Sequence, residues 1–217
     1  YYRAKLTKGI DEIYICSDSK KILSWCKKNK IPSIKTKSSH KNGTDRIAEA
    51  AKKLKISNND IIIDVQGDEP VINPKNISKA ILFFEKNNFD IVVPNLKIPK
   101  KFDSKNIVKL IISKNNILWM SRSSLPYPFK KKNIYLNKHL STIIFSKKSL
   151  IKYSKYKTSF YEKIESIELL RALENKMRLG SINLKGDSFS VDIFEDYIKA
   201  INYLKKDKIK FKYLKKI

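Results

Sequence analysis

Two cysteines in 217 residues, Cys16 and Cys26, are too few for a disulfide framework. There is no CxxC pair, and the only two histidines, His40 and His139, stand far apart in sequence, so a disulfide or metal site built on these residues is not expected. Cys16 lies in an apolar, strand-like run and Cys26 beside Trp25 in a helical one. Both read as small buried hydrophobes in a reducing compartment, and a cytoplasmic location is expected. No apolar run approaches the roughly eighteen residues of a membrane-spanning helix. The opening "YYRAKLTKGI" lacks an apolar h-region, so no cleavable signal is expected, and it lacks an initiator Met, so the sequence is expected to begin inside a longer protein.

Acidic residues are scarce as well. There are 21 Asp and Glu against 47 Lys and Arg, a formal net charge of +26. That excess raises the question of a nucleic-acid partner. Nearly all of it is Lys, however, spread over the whole chain with abundant Ile and Asn, and only five residues are Arg. Nucleic-acid surfaces favour Arg forks and clustered aromatic stacking. The charge therefore reads as a biased, solvated surface with a general attraction for anionic substrates.

What is present is an alternation of strands and helices. Residues 1–8 read as a helix end stopped at Gly9, followed by a strand over 12–16 and a helix from 19 to 30 capped by Ser17 or Asp18. Pro32 opens a short strand, and Thr44 or Asp45 caps a helix over "RIAEAAKKLK". Residues 60–65 form a continuous apolar strand, and Pro74 starts the next helix. Further strands are expected over 90–96, 107–112 and 138–145, with a loop at 121–133. A long helix then ends at Gly180, and a strand, a loop and a final helix from Ile193 complete the chain. The pattern predicts an α/β fold with a mixed, mostly parallel sheet, built as a single domain over 1–217.

Chemistry in such a sheet lies past the carboxyl ends of the strands. "NNDIIIDVQGDEPVINP" (58–74) ends its strand on Asp68 and Glu69, and carboxylates without a basic partner there suit a cation such as Mg²⁺. A turn residue is the plainer reading of Asp68. Asp192, in "FSVDIFED", reads equally as a metal ligand or as a helix N-cap. In "SSHKNGTDRIAEA" (38–50), Arg46 falls in the first turn of a helix, where a cation is disfavoured. Either an anionic or planar ligand such as a nucleotide outweighs the dipole, or Arg46 pairs with a neighbouring acid.

"NGTDRIAEA" followed by "VQGDEPVI" resembles the 3-deoxy-manno-octulosonate (Kdo) cytidylyltransferases. "SRSSLPY" (121–127), "KHL" (138–140), "EKIESIELLRAL" (162–173) and "VDIFED" (191–196) match in the same order, so the resemblance spans nearly the whole chain. It implies a Rossmann-like, GT-A-like nucleotidyltransferase, usually a homodimer, with 90–146 contributing to dimerisation and sugar binding. It also implies CMP transfer from CTP to the anomeric hydroxyl of Kdo, for lipopolysaccharide synthesis, with Mg²⁺. By the same resemblance, Asp68 and Asp192 are catalytic and hold the metal. Gly43, Thr44, Arg46 and Gly67 would contact the nucleotide, and Gln66, Arg122, His139 and Glu168 the acidic sugar. No nucleic acid and no membrane insertion are implied.

The resemblance has gaps. The Gly- and Arg-containing loop that wraps the triphosphate in this family has no counterpart, and a fragment of a longer gene product is the favoured explanation. Ile143 stands where the family has Tyr, and Leu169 where it has Gln. These two positions are expected to face the sugar and relax its selection, leaving open another acidic sugar such as an amino-substituted Kdo or a nonulosonate. Readings of another class are a basic nucleic-acid binder and a non-catalytic relative. Acids at the centre of the site argue against the binder.

Overall fold

The computed structural model describes residues 1–127, 129–130, 134–186 and 188–214. Of the loop expected at 121–133, Pro128 and residues 131–133 therefore lie outside the described residues.

The N-terminal region opens with a 3-10 turn, Ala4–Leu6, in place of a helix end, and Gly9 breaks the chain at φ +81°. Strand β1 (Ile15–Ser17) leads into helix α1 (Lys20–Lys28), which is capped by Ser19 rather than by Ser17 or Asp18. The Ser19 hydroxyl accepts from the Ile22 N–H, while Ser17 Oγ accepts from the Ser19 N–H one turn earlier. Cys26 is buried, but Cys16 is only half-buried, and Ile22 and Trp25 are largely exposed. Strand β2 (Ser33–Lys35) pairs parallel with β1 as a separate two-stranded sheet.

Helix α2 (Gly43–Lys53) starts earlier than expected. Its cap is Asn42, in extended backbone, whose side-chain oxygen accepts from the Asp45 N–H at 2.8 Å. Thr44 and Asp45 are thus first-turn residues and not caps. Strand β3 (Ile61–Val65) and helix α3 (Pro74–Lys86, with Pro74 in the first turn after an Asn73 cap) follow the expected outline.

The expected strand at 90–96 is two strands, β4 (Ile91–Val92) and β5 (Asn95–Pro99). Pro94 lies at the break, where it has no N–H to give a ladder. Strand β6 (Lys109–Ser113) turns through Lys114 and Asn115, both at positive φ, into β7 (Asn116–Ser121), which the sequence pattern did not reveal. The run at 138–145 is also divided. Strand β8 (Tyr135–His139) pairs with β5 and β6, and β9 (Thr142–Ser146) with β3 and β4. Helix α4 (Lys147–Tyr153) comes next. The expected long helix is two short ones, α5 (Phe160–Glu165) and α6 (Leu170–Glu174), separated by Ser166 at φ +51°.

Gly180 is not a helix stop. It sits in β10 (Leu179–Gly180), where a Cβ would come within 2.3 Å of the Phe89 ring. Strand β11 (Asn183–Leu184), helix α7 (Phe194–Lys206) and helix α8 (Lys210–Leu214) complete the chain. The nine-stranded sheet has the order β11-β5-β8-β6-β7-β10-β4-β9-β3. It is mixed as expected, but its balance differs. Of its eight strand pairings among the described residues, two are parallel and six antiparallel.

Helices cover both faces. Ile61, Ile63 and Val65 of β3 pack with α3, while Ile62 faces the main core with α2, α4 and α6. Each fully buried aliphatic side chain there contributes about 1.5–3 kcal/mol. Ile143 and Leu169, each 1% exposed, belong to that main core. They do not face a sugar, so the expectation that they tune substrate choice is overturned. One lysine, Lys109, is buried among the described residues. Its ammonium pairs with Asp103 at 2.9 Å and donates to the carbonyls of Ser104 and Arg122.

Candidate active site

A single main-chain bond sets the segments carrying the two expected metal ligands beside each other. Beyond β3 the chain turns through Gln66, whose N–H donates to the Ser141 carbonyl, and exposes Gly67 and Asp68. The Val191 N–H donates to the Asp68 carbonyl at 3.0 Å, so the segment before α7 lies against this turn. Asp192 is exposed beside it and does not cap α7. The cap position is Ile193, which makes no side-chain capping bond. Partial burial raises the Asp68 carboxyl above its ordinary value, and the charges of Glu69 and Asp192 raise it further. Neither Asp68 nor Asp192 forms a salt bridge among the described residues. Two carboxylates that repel each other in a chain of +26 fit a divalent cation, which takes one or two carboxylates and completes its shell with water and phosphate oxygens. No cluster of three or more His, Cys, Asp or Glu side chains suited to a metal occurs among the described residues.

A second group gathers at the start of α2. The Thr44 hydroxyl donates to Glu168 Oε1 at 2.9 Å, and the Thr44 N–H to Oε2 at 3.4 Å. An expected nucleotide residue and an expected sugar residue are therefore in direct contact. Burial raises the Glu168 carboxyl, and the two bonds from Thr44 act against that rise. Asp64 lies on the α2 side of β3. A Cβ on Gly43 would stand 3.6 Å from its Oδ2, which has no hydrogen-bond partner among the described residues. Burial, with Glu168 and Asp68 nearby, pushes the Asp64 carboxyl up to about 7. An open cleft of about 1050 Å³ runs beside this group, lined by Lys37, His40, Asn42, Asp45, Glu168 and Arg171 among others.

Arg122 and His139 form the third group. Arg122 Nε donates to the Glu165 carbonyl at 2.8 Å and Nη2 to the Ser166 carbonyl at 3.3 Å, which fixes the guanidinium at the break between α5 and α6. Burial lowers His139 to about 4, with the charges of Lys138 and Arg122 adding to it, so the imidazole is neutral near pH 7. Arg46 has the neighbouring acid that the plainer of its two readings calls for. It pairs with Asp18 at 2.9 Å and donates to the Thr36 hydroxyl at 2.6 Å.

Several residues gain roles that sequence reasoning missed. Glu69 is 5% exposed and accepts from the hydroxyls of Ser188 and Ser190. Asp45 and Glu162 both pair with the buried Arg171, at 3.1 and 2.6 Å, joining the "GTDR" and "ELLR" segments through charge. Arg3 pairs with Asp207 and donates to the carbonyls of Val71 and Ile72. The only signal available for these was an acid or Arg inside a recognised motif or helical run.

Comparison with known proteins places this geometry. A family model described as "Cytidylyltransferase" matches residues 1–179. A 3-deoxy-manno-octulosonate cytidylyltransferase from Thermodesulfovibrio yellowstonii is 36% identical over 210 residues, covering 90% of this chain and 82% of that protein. One from Fusobacterium nucleatum is 34% identical, covering 97% and 86%. In fold, the chain is similar to the solved CMP:2-keto-3-deoxy-manno-octonic acid synthetase complexed with CTP, with a TM-score of 0.88 at 24% identity over 95% of this chain and 86% of that one. With a model covering most of its length and relatives above 30% identity, the chain belongs to the cytidylyltransferase family, in its 3-deoxy-manno-octulosonate cytidylyltransferase group.

Proposed function

We propose that this protein transfers CMP from CTP to the anomeric hydroxyl of Kdo, releasing pyrophosphate, with Mg²⁺ held by Asp68 and Asp192. The observation that carries the reading is the Val191–Asp68 main-chain bond, which sets both carboxylate-bearing segments side by side in a chain of this family. The reaction is in-line attack of a sugar oxygen on the α-phosphorus, driven by positioning and charge neutralisation. Bound Mg²⁺ supplies the neutralising charge at the phosphate oxygens. Thr44 and Glu168 join the nucleotide and sugar sides of the site. Arg122 offers the positive charge for the sugar carboxylate. His139, neutral, serves as a hydrogen-bond partner for a hydroxyl and not as a counter-ion. The protein acts in the cytoplasm as a homodimer on this reading.

The test is pyrophosphate release by the full-length protein given CTP, Mg²⁺ and either Kdo or another acidic sugar. Kdo-dependent release with formation of CMP-Kdo is expected. Release with an amino-substituted Kdo or a nonulosonate but not with Kdo would move the assignment to that sugar. Absence of release with every acidic sugar would overturn the activity.

A further inference from the structure

We infer that Glu69 is a positioning residue that latches the segment 188–192 to the turn carrying Asp68, and so sets the spacing of the Asp68–Asp192 pair. The inference rests on the metal reading proposed above.

The latch has four parts. The Ser188 hydroxyl donates to Glu69 Oε2, and the Ser190 hydroxyl to Oε1 at 3.3 Å. Lys138 Nζ donates to the Ser188 carbonyl at 2.7 Å, tying in β8, the strand that ends at His139. The Val191 N–H completes it on the Asp68 carbonyl. Side chains alternate along this segment. Phe189 and Val191 pack with Val71, Ala200, Tyr203 and Leu204, while Ser188 and Ser190 turn to Glu69. Asp192 is the next position on the serine side. Both Glu69 oxygens are engaged by hydroxyls and the side chain is buried, so Glu69 is not itself free to take a metal. It holds the partner that would. A carboxylate pair presented by two separate chain segments coordinates one ion only if those segments keep a fixed separation, and outer contacts of this kind commonly carry a 10–100-fold effect on metal affinity.

The experiment compares wild type, Ser188→Ala with Ser190→Ala, Ser190→Ala alone, Glu69→Gln and Asp68→Asn in the full-length protein. Mn²⁺ alone, and then with CTP, is titrated and followed by electron paramagnetic resonance. The Mg²⁺ dependence of turnover and the melting temperature are read in parallel. The double serine variant is expected to bind Mn²⁺ about tenfold or more weakly. Its half-saturating Mg²⁺ rises by a similar factor, turnover recovers at high Mg²⁺, and Ser190→Ala alone falls between it and wild type. A folded double variant with Mn²⁺ affinity within about twofold of wild type overturns the latch, as does a lowered melting temperature with unchanged metal binding. If the double variant does not fold, unchanged Mn²⁺ affinity in Ser190→Ala and Glu69→Gln overturns it instead. Loss of Mn²⁺ binding in Asp68→Asn alone would sink the latch and spare the metal reading. Retention in Asp68→Asn would sink the metal reading.

Discussion

The Thr44 hydroxyl rests 2.9 Å from Glu168 Oε1, at the first turn of α2. The contact joins two sequence segments through a half-buried acid whose ionised form it favours. Thr44→Val keeps the shape of the side chain and removes the donor. It is expected to destabilise the fold by about 1–3 kcal/mol, the usual effect of unpairing a buried polar group. In activity assays it should raise the KM for CTP and for the sugar together. A KM change confined to one substrate would show that the two sides of the site are not coupled here.

Asp68 gives the plainest catalytic prediction. Asp68→Asn removes one charge where Mg²⁺ is proposed to neutralise phosphate, and the side chain is exposed, so the fold should survive. CMP transfer is expected to be abolished with an unchanged circular dichroism spectrum. Near-normal turnover at saturating Mg²⁺ would reduce Asp68 to a turn residue.

Asp64 predicts a gain in stability. Its carboxyl is pushed up to about 7 in the folded protein, against 3.8 ordinarily, with burial the main cause. The folded state therefore holds this proton more tightly than the unfolded one. Stability from that preference is complete below pH 4 and is lost as pH rises through about 7. Asp64→Asn cannot ionise, so it should be more stable than wild type by about 1–3 kcal/mol at pH 8 and little different near pH 4. Denaturant melts at the two pH values check this, and a variant equally or less stable at pH 8 would contradict it.

Leu169 tests the corrected reading of the supposed sugar positions. It is 1% exposed and packed in the main core. Leu169→Ala is expected to cost about 2–5 kcal/mol of stability. The ratio of kcat/KM between Kdo and other acidic sugars should stay unchanged. A shift in that ratio without loss of stability would return Leu169 to the substrate site.

Much of the fold was legible because local pattern and tertiary structure agree. The β3 run ending at "QGDE", the Asn73–Pro74 start of α3 and the α/β class all follow from periodicity and caps. The errors have tertiary causes. The helix expected over 159–180 breaks at Ser166, where Arg122 draws the carbonyls of Glu165 and Ser166 toward its guanidinium. Thr44 and Asp45 look like caps, but Asn42, one residue before the helix, reaches the free N–H first. Pairwise roles were least visible. Nothing in one dimension says that Asp45 will meet Arg171, that Glu69 will turn inward while Asp68 turns outward, or that Leu169 will be buried while Glu168 beside it meets Thr44.

Lys109 carries a consequence for chemical labelling. Its ammonium is closed in by Asp103 and by two carbonyls, whereas no other lysine among the described residues is buried. Amine-directed reagents such as acetic anhydride or formaldehyde with borohydride therefore meet two kinetic classes. Surface lysines react in the native state, while Lys109 reacts only when the Asp103–Ser104 and Arg122 loops open or the domain unfolds. Mass spectrometry of the Lys109 peptide over time is thus an internal clock for opening events beside the Arg122 end of the site, read in a protein whose many other amines supply the calibration.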